Sequence, residues 1–410
     1  MKLKKLPYYI LFLSSIFLPE VYAEEISSET PGGFSMKPEW NVGIEAEADY
    51  IIPTDGFYTG SNDREETIRF GLGSTLRGGF RFNPETREGM LYKGLYQGVG
   101  LGIKTFFHKA LMGNPGMFYV YQGAPFHHFG KRLHLGYEWN FGIAFGWHHA
   151  PMPEWSPTAW PISTAVTAHM GVALKLNYDL TSRWSLSMAL RGVHHSNGNT
   201  SWRNAGMNAA GLSVGITYII NPMADPSNPP ESLIKEADAK KWFYDLMVFG
   251  AWRRRVVYLP DSPFLDELDR NDALAPKKYP VFGMQFAPAI TLNRWVAVGP
   301  ALDVQWDKSC DLATHWIEQP IDDAIEFTPV PFKDQVSVGI SAHAELTTPI
   351  FAINAGVGLN VINPKGDQRF YQSLAVKAFL SSHLYLNIGY RLGSFKTPQH
   401  LMLGVGYRFR

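Results

Sequence analysis

The clearest chemical pattern in the chain is His194-His195-Ser196-Asn197. It closes a stretch whose alternate residues read Trp184, Leu186, Met188, Leu190, Gly192, His194 and Ser196. Successive side chains of a strand point to opposite faces, so this row is an apolar stripe ending in a histidine and a serine on one side. A base beside a hydroxyl is the smallest arrangement that activates a serine nucleophile. At the edge of a lipid-facing surface, its natural substrate would be a lipid. The opposite row ends in Arg191, Val193 and His195, which gives His195 to the other face and a structural role.

The elements that must hold this pair are strands. Alternation of apolar and polar residues marks about sixteen of them. In the first half they are Trp40–Ile52, Phe70–Phe82, Leu95–Phe107, a weaker one near Met117–Gln122, Leu133–Trp147, Ile162–Leu180, Trp184–Asn197 and Asn208–Ile220. The second half supplies Phe243–Val257, Val281–Leu292, Trp295–Trp306, Val336–Leu346, Phe351–Val361, Phe370–Leu380, Leu384–Leu392 and Leu401–Phe409. In the first strand Glu45, Glu47 and Asp49 share the face opposite the apolar row. Three acids turned into a soluble core would be prohibitive without partners. In a membrane barrel they face a polar lumen, where Arg77, Arg81 and Lys104 can pair with them. The expected fold is therefore all-β, an antiparallel transmembrane β-barrel. One barrel of about sixteen strands is expected first, with fourteen strands or two fused eight-stranded barrels as alternatives.

With a periplasmic amino terminus, short turns and longer outer loops should alternate. The second half obeys; in the first, Asn83 to Gly94 is long for a periplasmic turn and leaves room for a miscounted strand. The seventh strand then runs outward and brings His194 and Ser196 to outer-leaflet depth. The eighth returns with Asn208 on the same face, an amide able to hold one tautomer of the imidazole. Residues 184–190 and 384–390 echo one another, but Ser394 and Lys396 stand where His194 and Ser196 would be, so one potential site is expected.

Lys2, Lys4 and Lys5, an apolar run from Tyr8 to Leu18, and Val21-Tyr22-Ala23 follow the plan of a secretory signal peptide, residues 1–23. Three further segments are expected: a first barrel half at 24–220, a periplasmic connector at 221–241, and a second half at 242–410. No apolar run is long enough for a membrane helix. One cysteine, Cys310, excludes an intrachain disulfide and a cysteine metal cluster. Lys+Arg and Asp+Glu both total 37, which gives no sign of nucleic acid as a partner. The last strand is apolar-alternating with Phe409 next to last, which resembles the signal read by the outer-membrane assembly machinery of Gram-negative bacteria.

The His-x-Ser-Asn pattern at 194–197 in the seventh strand, with Asn204-Ala205-Gly206-Met207-Asn208 opening the eighth, resembles the outer-membrane lipid A 3-O-deacylases, PagL-like, and the related acyloxyacyl hydrolases. The resemblance covers about Trp40 to Ile220. It implies a membrane-facing serine hydrolase without a cofactor, acting on lipid A or lipopolysaccharide in the outer leaflet. Base and nucleophile fall on His194 and Ser196. The acid of that family is a glutamate about a dozen residues after the serine; Asn208 stands in its place, and no Asp or Glu occurs between Asn197 and Asn221. The oxyanion region of the family follows the serine, which implicates Asn197, Gly198 and Asn199.

Two rival readings compete. His194 and Ser196 could be interfacial polar residues at the rim of a barrel that is a pore or purely structural. The pairs His127-His128, His148-His149 and His194-His195 could suggest a metal, but strand neighbours point apart and the ligand spacing is absent. They read instead as part of an aromatic girdle with Trp147, Trp155 and Trp160.

Overall fold

The computed structural model describes residues 37–149, 162–201, 205–224, 228–258, 272–275, 277–317 and 326–410. The expected signal peptide, Trp155, Trp160 and Asn204 lie outside them. The first eight strands are β1 (Glu39–Ile52), β2 (Phe70–Arg81), β3 (Tyr96–Thr105), β4 (Gly113–Phe129), β5 (Leu133–Trp147), β6 (Val166–Asp179), β7 (Trp184–Ser196) and β8 (Met207–Ile219). Each pairs antiparallel with the next, and β8 returns to β1 from Asn41↔Ile219 to Ile52↔Asn208. That pairing closes a barrel of eight strands.

The second half closes another. Its strands are β9 (Trp242–Arg253), β10 (Tyr279–Thr291), β11 (Val296–Asp307), β12 (Val336–Thr347), β13 (Phe351–Ile362), β14 (Phe370–Phe379), β15 (Leu384–Gly393) and β16 (Thr397–Phe409), with β16 paired to β9. All sixteen expected strands form. They close as two eight-stranded barrels rather than as the single barrel expected first. The long segment after β2 hides no strand. It holds a short helix, Arg87–Leu91, capped where Thr86 Oγ1 accepts from Gly89 N at 3.1 Å. The 200-residue echo also finds its place, because β7 and β15 are the seventh strands of their respective barrels.

Both lumens are filled by ion pairs. Arg77 bridges Glu45 and Glu138 at 2.6 Å each, and Lys175 reaches the same two carboxylates at 3.1 and 3.3 Å. Lys104 joins Glu47 and Asp49, and Arg191 meets Glu47 at 2.5 Å. Arg81 departs from expectation and pairs with Glu39 at the barrel mouth. In the second barrel Lys377 and Arg408 both bridge Asp245 and Glu345. Side chains so paired cross both interiors, and the purified protein is expected to give no porin-sized conductance steps in planar bilayers. Lys104→Met would take the close cation from buried Asp49 and leave Glu47 to Arg191 alone; the expected cost is about 3–5 kcal/mol, read as a lower urea midpoint.

The barrels touch at both ends. At the end that carries the Arg87–Leu91 helix, Tyr92 packs edge-on against Trp295 with ring centroids 4.6 Å apart, and Trp139 meets Phe351 at 5.3 Å. Gln122 donates to Thr348 Oγ1 at 2.9 Å. Gln122 and Trp139 lie on the outer face of the first barrel, yet both are buried, because the second barrel covers them. At the outer end the contacts run through Asn199 and fall beside His194 and Ser196.

Candidate active site

The β7–β8 pairing sets His194 directly opposite Asn208. His194 Nδ1 lies 2.7 Å from Asn208 Oδ1. An amide oxygen only accepts, so this bond requires the proton on Nδ1 and leaves the lone pair on Nε2. Ser196 comes two residues after His194 on the same face, at the last position of β7. The two side chains flank Gly206, where an ideal Cβ would stand 3.3 Å from His194 Cε1 and 3.5 Å from Ser196 Cβ. No hydrogen bond joins Ser196 Oγ to His194 among the described residues. A serine hydroxyl reaches its base by rotation about χ1, and such bonds are commonly loose before substrate binds.

Gly206 sits at φ +68°, the left-handed region that favours glycine, and a Cβ would also press within 2.8 Å of His195 O. Its carbonyl accepts from Tyr58 Oη at 2.7 Å. Tyr58 is almost fully buried, and that burial pushes its hydroxyl well above its ordinary pKa, so it remains a neutral donor. The loop after β1 thereby braces the floor of the site, a contact with no short-range sequence signal.

The turn after Ser196 contains the three residues expected at the oxyanion. The Asn197 side-chain amide is committed to Ser163 Oγ at 3.1 Å and Ser201 O at 3.2 Å. Gly198 and Asn199 both sit at φ +63°. Their backbone N–H groups find no acceptor among the described residues. The Asn199 side chain is turned away, onto Gln399 O and Pro398 O of β16.

Residues 242–410 match the family model described as acyloxyacyl hydrolase, C-terminal domain. The matched segment is the whole second barrel, whereas the motif resemblance lies in the first. The chain resembles the PagL-like acyloxyacyl hydrolases, and its fold, two closed antiparallel barrels with exposed apolar rows, is that of a membrane barrel. Among solved structures, Neisserial surface protein A is 11% identical over 44% of this chain and 96% of its own, with a TM-score of 0.29. The outer membrane enzyme PagL is 13% identical over 43% of this chain and 97% of its own, with a TM-score of 0.27. A mutant of Rh. blastica porin is 10% identical over 91% of this chain and 99% of its own, with a TM-score of 0.16. No curated protein matches the chain.

The remaining histidines divide by face. His195 points into the lumen, 2.9 Å from His169 Nδ1, and packs against the Trp147 ring at 5.2 Å. Trp147 is therefore interior and leaves the expected girdle. Gly146, at φ +85°, breaks the alternation of β5 just before it, and Trp147 Nε1 donates to Thr167 Oγ1 at 2.9 Å.

The second barrel holds a similar trio unforeseen from the sequence. Ser341 Oγ is 2.8 Å from His343 Nε2, and His343 Nδ1 is 2.7 Å from Asn354 Oδ1. Alternation alone would have placed Ser341 and His343 side by side. That trio is sealed in the lumen: Ser341 also donates to Asp303 at 2.5 Å, and the adjoining void is about 20 Å³, space for one water. A cavity of about 660 Å³ opens at the mouth of the first barrel beside Glu39 and Arg81 and is lined by neither trio.

Proposed function

We propose that the protein is an outer-membrane serine esterase that removes an ester-linked acyl chain from lipid A or a related outer-leaflet lipid. The observation that carries this reading is the His194–Asn208 bond, which leaves the Nε2 lone pair on the strand face that Ser196 shares. Ser196 Oγ attacks the ester carbonyl while His194 Nε2 takes its proton. The N–H groups of Gly198 and Asn199 receive the oxyanion, and the imidazolium returns the proton to the departing alcohol. Water then attacks the acyl-enzyme, with His194 again the base, and the fatty acid leaves.

The wall below the pair suits an acyl chain. Gly192 pairs with Val172 on one side and Ala210 on the other, directly beneath the row of Met170, His194 and Asn208. An added Cβ at Gly192 would meet only Val172 Cγ2, at 3.8 Å. The result is a shallow trough bounded below by exposed Leu190 and Leu212. Gly192→Leu would fill it without disturbing the barrel. The expected effect is a rise of about tenfold or more in KM for long acyl esters at unchanged thermal stability. An unchanged KM would remove the trough from the site.

Mass spectrometry of lipid A from cells with and without the protein tests the reading as a whole. Loss of a hydroxyacyl-sized mass with the protein present is expected. Identical spectra, with the protein verified in the outer membrane, would point to another lipid ester or to a barrel without chemistry.

A further inference from the structure

The turn that carries the oxyanion donors is held by the other barrel. An ideal Cβ at Gly198 would lie 2.6 Å from Leu401 Cγ and Cδ2, and 3.0 Å from Cδ1, so the Leu401 side chain rests on the bare backbone of the turn. Asn199 Nδ2 donates to Gln399 O at 2.9 Å and Pro398 O at 3.3 Å. Asn199 O in turn accepts from Arg254 N, at 3.2 Å, in the loop after β9. Asn199 is thus gripped from two segments of the second barrel. In the outward row of β16, Leu403, Val405, Tyr407 and Phe409 are exposed, whereas Leu401 is partly covered. Ser196 itself is only 8% exposed.

We propose that the second barrel builds one wall of the lipid site in the first, with Leu401 bounding the space beside the oxyanion turn and Asn199 as the positioning residue that couples the two barrels. The wall rests on geometry alone; its kinetic consequences rest on the esterase reading above. Asn tolerates the left-handed backbone that residue 199 adopts, and its amide supplies the two donors that carbonyls at 398 and 399 require. The turn is then pre-organised, so its N–H groups need no rearrangement when charge develops on the ester oxygen. Leu401 fills space where a bulky ester substituent would otherwise extend.

Two variants separate position from mere folding. Asn199→Gly keeps the backbone freedom and removes the clasp; Asn199→Asp keeps size and turn preference but sets a carboxylate against two carbonyls. Both are expected to lower kcat by about tenfold or more with KM changed less than about twofold, because only transition-state contacts are lost. Leu401→Ala is expected to raise kcat/KM for branched acyl esters relative to linear ones, measured on p-nitrophenyl esters in mixed micelles. Unchanged kcat in both Asn199 variants, or an unchanged branched-to-linear ratio, would overturn the proposal.

A readout independent of activity uses the full chain carrying Ser196→Cys in a Cys310→Ser background. Maleimide labelling of the introduced thiol should accelerate severalfold on adding Leu401→Ala or Asn199→Gly. Equal labelling rates would overturn the wall whatever the enzyme does. Faster labelling in a protein that cleaves no ester would retire the esterase reading and keep the wall.

Discussion

Ser196→Ala is expected to lower kcat for ester cleavage by about a thousandfold or more while leaving both barrels folded. Ser196 ends β7: its backbone pairs with Ala168 of β6, the ladder to β8 ends one residue earlier at His195↔Met207, and neither uses the side chain. Its hydroxyl makes no hydrogen bond among the described residues, so its removal strands no partner and should cost little stability. The chemistry, in contrast, has no replacement. The next hydroxyls, Ser163 and Thr200, are tied to other groups around Asn197: Ser163 Oγ accepts from its amide, and Thr200 Oγ1 donates to its carbonyl at 2.8 Å. Purified protein in detergent, assayed on a fluorogenic long-chain ester, gives the comparison, and heat-modifiable migration on gels reports the fold. A Ser196→Ala variant that retained wild-type turnover would remove the serine-hydrolase mechanism altogether.

Asn208→Asp is expected to raise kcat by about tenfold to a hundredfold, and Asn208→Leu to lower it by about a hundredfold. The amide does half of what a triad acid does. Its oxygen, 2.7 Å from His194 Nδ1, fixes ring orientation and tautomer. It brings no net charge to the imidazolium that forms when His194 accepts the serine proton. A carboxylate at that distance adds charge stabilisation in a low-dielectric rim, where a unit pair at about 4 Å interacts by about 4 kcal/mol at an effective dielectric constant of 20. Part of that is lost to desolvation, hence the smaller expected gain. Leucine removes orientation and tautomer control together. Single-turnover acylation rates for the three proteins would decide the matter. A drop in the Asp variant would mean that His194 is not the base.

The candidate site was legible in part because its chemistry is local. His194 and Ser196 are two apart on one strand, and strand period alone puts them on one face. Asn208 was legible because a ten-residue loop and an antiparallel return bring it opposite. Asn199 was named through the resemblance as an oxyanion residue, but its clasp on the second barrel was not readable, since its partners lie about 200 positions away at Pro398 and Gln399. Tyr58 gave no signal at all, because an aromatic in a loop can point anywhere until the barrel top assembles. Trp147 was placed on the wrong face because one left-handed glycine shifts the alternation.

The sequence by itself determined the strands, their two faces, the inward charges and the outward histidine and serine, because each of these follows from a period of two that every residue carries. Only the tertiary structure decided that β8 pairs with β1 and β16 with β9, and hence that there are two barrels and a seam between them. The physical reason is that a strand edge presents the same backbone donors and acceptors to any partner. An eighth strand therefore looks alike whether it meets the first or the ninth, and closure depends on distant registers that local pattern does not contain.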